Sequence, residues 1–328
     1  MTNLIAITIG DINGIGIEIL IKLLKKNKIN KIILFTNINY LKIFLKKRKI
    51  SLKINLLDEK IKNLNYKNGY LNIFSYKAKN NEENTYNSLK YAYYFCNKNI
   101  CIGIITLPLR KDLIKEKIDK KFIGHTEYFQ NLDKKKYSNM ILYNKKIIIS
   151  PITTHIKVKN ISKIISNKRF LYNQIKNLNH TLKIDFNITK PKLIISGLNP
   201  HAGESGKIGR EEIEIISPVV KSLKNKKILI DGPISPDGML INVNMKKYDC
   251  FIFIYHDQAL IPFKYISQFS GVNYTGNLSI IRVSPDHGTA YNLIGSKNIS
   301  NLSLLNCYNL IKKIKKNRKT NDKSKKIT

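Results

Sequence analysis

Short apolar runs recur along the chain and alternate with stretches of helical period. The runs at residues 4–9, 31–35, 100–106, 146–150, 192–196 and 250–254 are nearly continuous in Ile, Leu and Phe. Strands covered on both faces lose the inside–outside alternation, so these runs predict buried strands. Between them, residues 16–25, 40–47, 85–97, 161–178 and 208–223 repeat at helical spacing. Strands alternating with helices predict an α/β fold with a mostly parallel sheet. The stretch 52–79 is assigned to no element, and no internal repeat is present.

At 328 residues the chain has room for one large or two ordinary domains. No apolar run approaches the ~18 residues of a membrane span. The first residues read as a strand, without the basic start or small-residue cleavage site of a signal peptide. Cys96, Cys101, Cys250 and Cys307 form no C-x-x-C pair. Free thiols of this kind suit a reducing compartment, so a cytoplasmic protein is expected. The net charge of +36 raises a nucleic-acid reading. Lysine is spread over nearly every segment, however, and Asn, Ile and Tyr are enriched with it. Drift toward A/T-rich codons would do this, a hypothesis that an ordinary base composition in the coding DNA would refute. Neither a nucleic-acid nor a membrane partner is expected. The one dense basic run closes the chain, and residues 317–328 are read as a disordered, solvated tail.

Five of the six histidines lie in short polar turns with Gly, Pro, Thr or acids, and only His180 does not. His155, His201 and His256 each follow an apolar run. Ligands of open α/β sheets bind beyond the carboxyl ends of strands, so three imidazoles could meet there around a divalent ion. Asp257 and Glu204 would then orient rings. Three unrelated loop histidines making ordinary hydrogen bonds would give the same pattern, and the residues alone leave both readings open. Gly10-Asp11-Ile12-Asn13-Gly14-Ile15-Gly16 lacks the dinucleotide spacing and reads as a tight strand-to-helix turn. The glycine-rich Asn199–Gly206 stretch reads as a ligand loop. Arg282 stands out because Arg is scarce. Ser284–Ala290 fits either a nucleotide cradle or a helix cap.

Six blocks occur in order: Gly-Asp-x-x-Gly-Ile-Gly-x-Glu, Gly-His-Thr-Glu, Thr-Thr-His, Gly-Leu-Asn-Pro-His-Ala-Gly-Glu, Tyr-His-Asp-Gln and Ser-Pro-Asp-His-Gly-Thr-Ala. From Ile7 to about Gly295 the chain resembles the 4-hydroxythreonine-4-phosphate dehydrogenases of the vitamin B6 pathway. The resemblance implies two α/β/α domains around a cleft, similar to isocitrate and isopropylmalate dehydrogenases. It implies NAD-dependent oxidation of 4-phosphooxy-L-threonine, then loss of carbon dioxide to give 3-amino-2-oxopropyl phosphate. NADP is the alternative nucleotide. It further implies a homodimer with the active site at the subunit interface, and one divalent ion (Zn, Mg or Co) per subunit on His155, His201 and His256. Substrate contacts carry over to His125, Thr126, Lys264, Asn273 and Arg282. The nucleotide loop carries over to Asp286, His287, Gly288, Thr289, Ala290 and Asn292. Lys111, Asp237 and Asp257 are candidates for the group that takes the hydroxyl proton. The expected division is 1–130 with about 285–316 on the nucleotide side, and 131–284 on the metal and dimer side.

The chain departs from the family pattern in places. Ile12 and Ile17 replace prolines of the first motif, and Leu107-Pro108 stands for Gly-Pro. Gly238 replaces a threonine, Asn292 an acid, and Ile294-Gly295 an Ala-Gly. None removes a histidine. A related decarboxylating dehydrogenase for another hydroxy acid is the alternative, with a basic nucleic-acid-binding protein of metabolic ancestry behind it.

Overall fold

A computed structural model describes residues 3–58, 64–296 and 298–327. The chain divides into two units, residues 1–131 with 279–313, and residues 132–278 with 314–328.

Unit 1 opens with β1 (Leu4–Thr8), α1 (Gly16–Lys25), β2 (Ile32–Phe35), α2 (Ile38–Lys47), β3 (Ile54–Leu56) and β4 (Leu71–Phe74). It continues with α3 (Asn81–Asn97), β5 (Cys101–Thr106), α4 (Lys111–Lys117) and α5 (His125–Leu132). Unit 2 holds β6 (Asn139–Asn144), β7 (Ile147–Pro151), α6 (Ile161–Ile165), α7 (Lys168–Asp185), β8 (Lys192–Ser196) and α8 (Ser217–Asn225). Then come β9 (Leu229–Ile234), α9 (Asn242–Lys247), β10 (Cys250–Phe253), α10 (His256–Ser267) and β11 (Val272–Gly276). The chain returns to unit 1 with β12 (Arg282–Pro285), and α11 (Leu302–Ile327) starts in unit 1 and ends in unit 2.

The unit 1 strands run in the order β3-β4-β2-β1-β5-β12, every pair parallel. β1, β2, β4 and β12 are buried along their whole length; the near-continuous apolar runs of β1 and β2 suit this, whereas β4 carries Asn72 and β12 carries Arg282 and Ser284 into the interior. α3 packs on β1, β2 and β5. The stretch 52–79, unassigned from sequence, supplies β3 and β4. Its polar Asn55 and Asn72 are buried and bond each other, Asn55 Nδ2 to Asn72 Oδ1 at 2.8 Å. Two asparagines inside an edge pair hide the apolar signal.

The unit 2 strands run in the order β11-β6-β7-β10-β8-β9. β7, β10, β8 and β9 are parallel neighbours, whereas β6 is antiparallel to β7 and β11. Phe251, Phe253, Leu142, Ile149 and Ile194 form its core with Phe263 of α10.

The disordered tail expected from residue 317 is not found over Asn317–Asp322, which continue α11. Arg318 Nε reaches buried Asp185 Oδ1 at 2.6 Å, and its Nη2 donates to Tyr274 Oη (3.2 Å) and Leu278 O (3.1 Å). Asn317 Nδ2 donates to Asp185 O at 2.7 Å. A single arginine and asparagine with matched partners outweigh the lysines around them, which can stay in water.

Candidate functional site

In unit 2, the order β7-β10-β8-β9 puts four carboxyl ends side by side. The chain leaving them carries His155, His256, His201 and Asp237 in that order across the sheet edge. The β7 exit is fixed to β10 by Thr153, whose N–H and hydroxyl both donate to Ile254 O (3.1 and 2.9 Å). His155 and His256 are brought together, with ring centroids 5.9 Å apart. His256 Nδ1 lies 2.9 Å from Asp257 Oδ1. A carboxylate only accepts, so that pairing puts the proton of a neutral ring on Nδ1 and leaves the lone pair on Nε2. Asp257 is therefore occupied in orienting a ring.

His201 begins a run of five residues, His201–Ser205, with φ between 43° and 79°. This is a left-handed turn, which costs about 1–2 kcal/mol for each residue with a side chain. Among the described residues, no group of three or more His, Cys, Asp or Glu stands close enough to hold a metal ion. The donor chemistry of the His155–His256 pair fits two ligands of a divalent ion, and His201 stands on the neighbouring strand exit. Asp237 is exposed and accepts the Ser235 hydroxyl. That bond, the Gly238 N–H and the charge of His201 hold its carboxyl below the usual range, so it is a weak base at neutral pH. Lys264 is exposed on α10. Asn273, on β11, has its Oδ1 buried without a hydrogen-bond donor, an acceptor open to a ligand.

In unit 1 the neighbours β1, β5 and β12 release three loops at their carboxyl ends. Gly10 has φ +63°, and a side chain there would put its first carbon 2.4 Å from Pro108 O. Only glycine allows this approach between the β1 and β5 loops. Asp11 N–H donates to Pro108 O (2.8 Å), and Ile15 N–H to Thr289 O (3.0 Å). The Tyr291 hydroxyl donates to Asp11. Asp286–Asn292 is thus laced to the first motif, beside a cavity of about 260 Å³ lined by Asp11, Asn13, Glu82, Arg110, Leu113 and Tyr291. Asn292 and Gly288 are exposed; Asp286, His287, Thr289 and Ala290 are half-buried.

Beside these loops lies a group of cations. Arg282 is 1% exposed, and its Nε and Nη2 donate to Thr106 Oγ1 at 3.1 and 2.6 Å. Burial lowers its pKa to about 10, against the pull of Cys307 and Glu127. It is still a cation at neutral pH. Lys111 opens α4, and around Gly124 its Nζ and the Glu127 carboxylate approach the same point. Lys111 keeps solvent access, yet desolvation by the packed protein and the Arg282 charge lower its pKa, with Glu127 opposing. His125 opens α5, and burial, then Arg282 and Lys111, push its pKa well below the ordinary value. Its Nε2 is buried without a hydrogen-bond partner. A neutral imidazole with one open nitrogen is a fitting contact for a polar ligand. Thr126 follows it, half-buried.

Sequence reasoning gave no role to Thr106, Glu127, Glu212 or Gln258. A signal was available for the acids. Only 22 Asp and Glu stand against 58 Lys and Arg, so an acid inside an apolar pattern marks a partner.

The family profile described as "Pyridoxal phosphate biosynthetic protein PdxA" matches residues 21–311. The 4-hydroxythreonine-4-phosphate dehydrogenase of Sulfurihydrogenibium sp. (strain YO3AOP1) is 36% identical over 313 residues, covering 91% of this chain and 94% of its own. That of Wigglesworthia glossinidia brevipalpis is 34% identical, covering 92% and 93%. Among solved structures, 4-hydroxythreonine-4-phosphate dehydrogenase from Klebsiella pneumoniae superposes with a TM-score of 0.81 at 26% identity, covering 95% of this chain and 99% of that one.

Proposed function

The chain belongs to the PdxA family of pyridoxal phosphate biosynthetic proteins, and on that premise we propose how its residues serve the reaction. It is an NAD-dependent oxidoreductase for the oxidation of 4-phosphooxy-L-threonine and its decarboxylation to 3-amino-2-oxopropyl phosphate. His155, His256 and His201 hold the divalent ion, with Zn, Mg and Co as the candidates. The observation that carries this is the His155–His256 pair on adjacent parallel strand ends, with Asp257 setting the proton on His256. When bound, the ion supplies Lewis-acid stabilisation of negative charge on the substrate oxygen. The laced loop Asp286–Asn292 would seat NAD, or NADP in its place, which would supply the hydride acceptor.

Lys111 takes the hydroxyl proton. Its lowered pKa leaves more free amine near neutral pH than an ordinary lysine has. Asp237 is held in its weakly basic form, and Asp257 is engaged by His256. Arg282, sealed behind Thr106, contributes a fixed positive field for phosphate or carboxylate. His125 and Thr126 of unit 1, and Lys264 and Asn273 of unit 2, are each assigned polar contacts to substrate. The family homodimer is supported by an apolar stripe of unit 2, where Ile261, Tyr265 and Phe269 are 70%, 85% and 69% exposed. Tyr265→Glu should give monomers in sedimentation.

The test is NADH formation from 4-phosphooxy-L-threonine, with and without a chelator, and with each metal restored. Turnover that a chelator leaves untouched would remove the metal reading. No turnover on this substrate, with turnover on another hydroxy acid, would remove the substrate.

A further inference from the structure

We propose that Glu212 and Gln258 are the positioning residues that set His201 in register with His155 and His256, a reading that rests on the three-histidine site proposed above. The left-handed turn His201–Ser205 contains four residues with side chains. Such a conformation persists only where the surroundings over-determine it.

Glu212 supplies that constraint. It is 3% exposed, and its Oε1 accepts the backbone N–H of Leu198 (2.7 Å) and Asn199 (2.9 Å). Its Oε2 accepts Asn199 Nδ2 at 3.0 Å, and that same amide donates to Glu211 Oε2 at 2.8 Å. A buried carboxylate is costly unless donors surround it, and these donors come from the two residues leading into the turn. The carboxylate also lies against the turn itself. A first side-chain carbon on Gly203 would fall 2.6 Å from Oε2, and one on Gly197 would fall 2.8 Å from Oε1 and 3.0 Å from Ala202 Cα. Entry segment, carboxylate and turn are therefore packed as one block.

Gln258 ties that block to the next strand. Its Oε1 accepts Ile254 N–H (2.9 Å) and the Ser196 hydroxyl (3.1 Å), and its Nε2 donates to Gly197 O (3.1 Å). Ile254 leads to His256, and Ser196-Gly197 leads to His201. Thr153 already joins the His155 segment to Ile254 O. One chain of hydrogen bonds thus runs from the His155 exit through the His256 exit to the His201 turn. It acts on the backbone and side chains of the segments leading to the histidines, so both residues position and neither reacts.

The test titrates Co²⁺ into the metal-stripped full chain and reads its absorption. Outer groups that hold metal ligands change affinity by roughly 10–100-fold when removed. Glu212→Ala should weaken Co²⁺ by that factor. Glu212→Gln keeps one acceptor oxygen and should lie between it and the parent. Gln258→Leu should also weaken binding, whereas His180→Ala should not. Without metal, amide exchange at Leu198 and Asn199 should speed up in Glu212→Ala. If Glu212→Ala does not fold, Glu212→Gln and Gln258→Leu carry the test, with melting curves confirming their folded state. Parent-like Co²⁺ affinity in the folded Glu212 and Gln258 variants, with affinity lost in His201→Ala, would overturn this inference alone. Full affinity in His201→Ala, or no Co²⁺ binding by the parent, would overturn the proposed metal site and this inference with it.

Discussion

In unit 1 the loops at the strand ends are joined through backbone. Gly10 lies against Pro108 O, and Ile15 N–H bonds Thr289 O. In unit 2 the corresponding loops are joined through side chains, buried Thr153 and Glu212 and half-buried Gln258. The charges differ as well. Unit 1 keeps a wholly buried arginine and a neutral imidazole beside a depressed lysine. Unit 2 keeps exposed or half-buried imidazoles beside carboxylates. A backbone cradle with buried positive charge suits an anionic substrate or nucleotide. A side-chain scaffold sets the angles of individual rings, which a metal site requires. The difference predicts different failures when each is damaged.

The largest effect should come from Lys111→Ala. Loss of a general base costs roughly 10²–10⁴-fold in kcat, read as NADH formation at saturating substrate; a kcat within twofold of the parent would remove Lys111 from the reaction. Next is Asp185→Ala in unit 2, which takes the carboxylate from half-buried Arg318 and leaves it Tyr274 Oη and Leu278 O. Breaking such a pair costs about 3–5 kcal/mol, read by denaturant unfolding, and a loss below 1 kcal/mol would show that α11 does not depend on it. Asp257→Ala should free the His256 ring and weaken metal binding by about 10–100-fold, measured by titration. Gly10→Ala tests the backbone side of the comparison. The left-handed strain alone is about 1–3 kcal/mol, seen as a lower melting temperature with metal affinity unchanged. The smallest effect is a shift in pH profile. The reaction needs neutral Lys111, so activity rises with pH through its pKa. Glu127 holds that pKa up; Glu127→Gln should move the acid limb of kcat to lower pH, and a move upward would contradict the assignment.

Much of this was legible in the sequence. Apolar runs marked the central strands because burial on both faces leaves only one composition open to them. The strand-end placement of His155, His201 and His256 followed from the same runs. What was not legible has physical causes. β3 and β4 carry paired asparagines, so their hydropathy misleads. α11 passes from one unit to the other without any break in helical period. Glu212 and Gln258 act on backbone groups of residues 197–199 and 254 and on the Ser196 hydroxyl, and no local pattern reveals a partner supplied by the fold. The left-handed turn was invisible because four of its residues, His201, Ala202, Glu204 and Ser205, are not glycine.

The parallel pairing of β12 with β5 has a consequence for how the chain acquires its shape. Thr106 bonds Val283 O at a sequence separation of 177, and all of residues 132–278 lie between. During synthesis β5 must wait, with one edge open, until unit 2 has emerged. A newly made unit 1 is therefore an unfinished sheet, exposed to mispairing. Refolding should be slow relative to an ordinary domain of this size, because its closing contacts are remote in sequence.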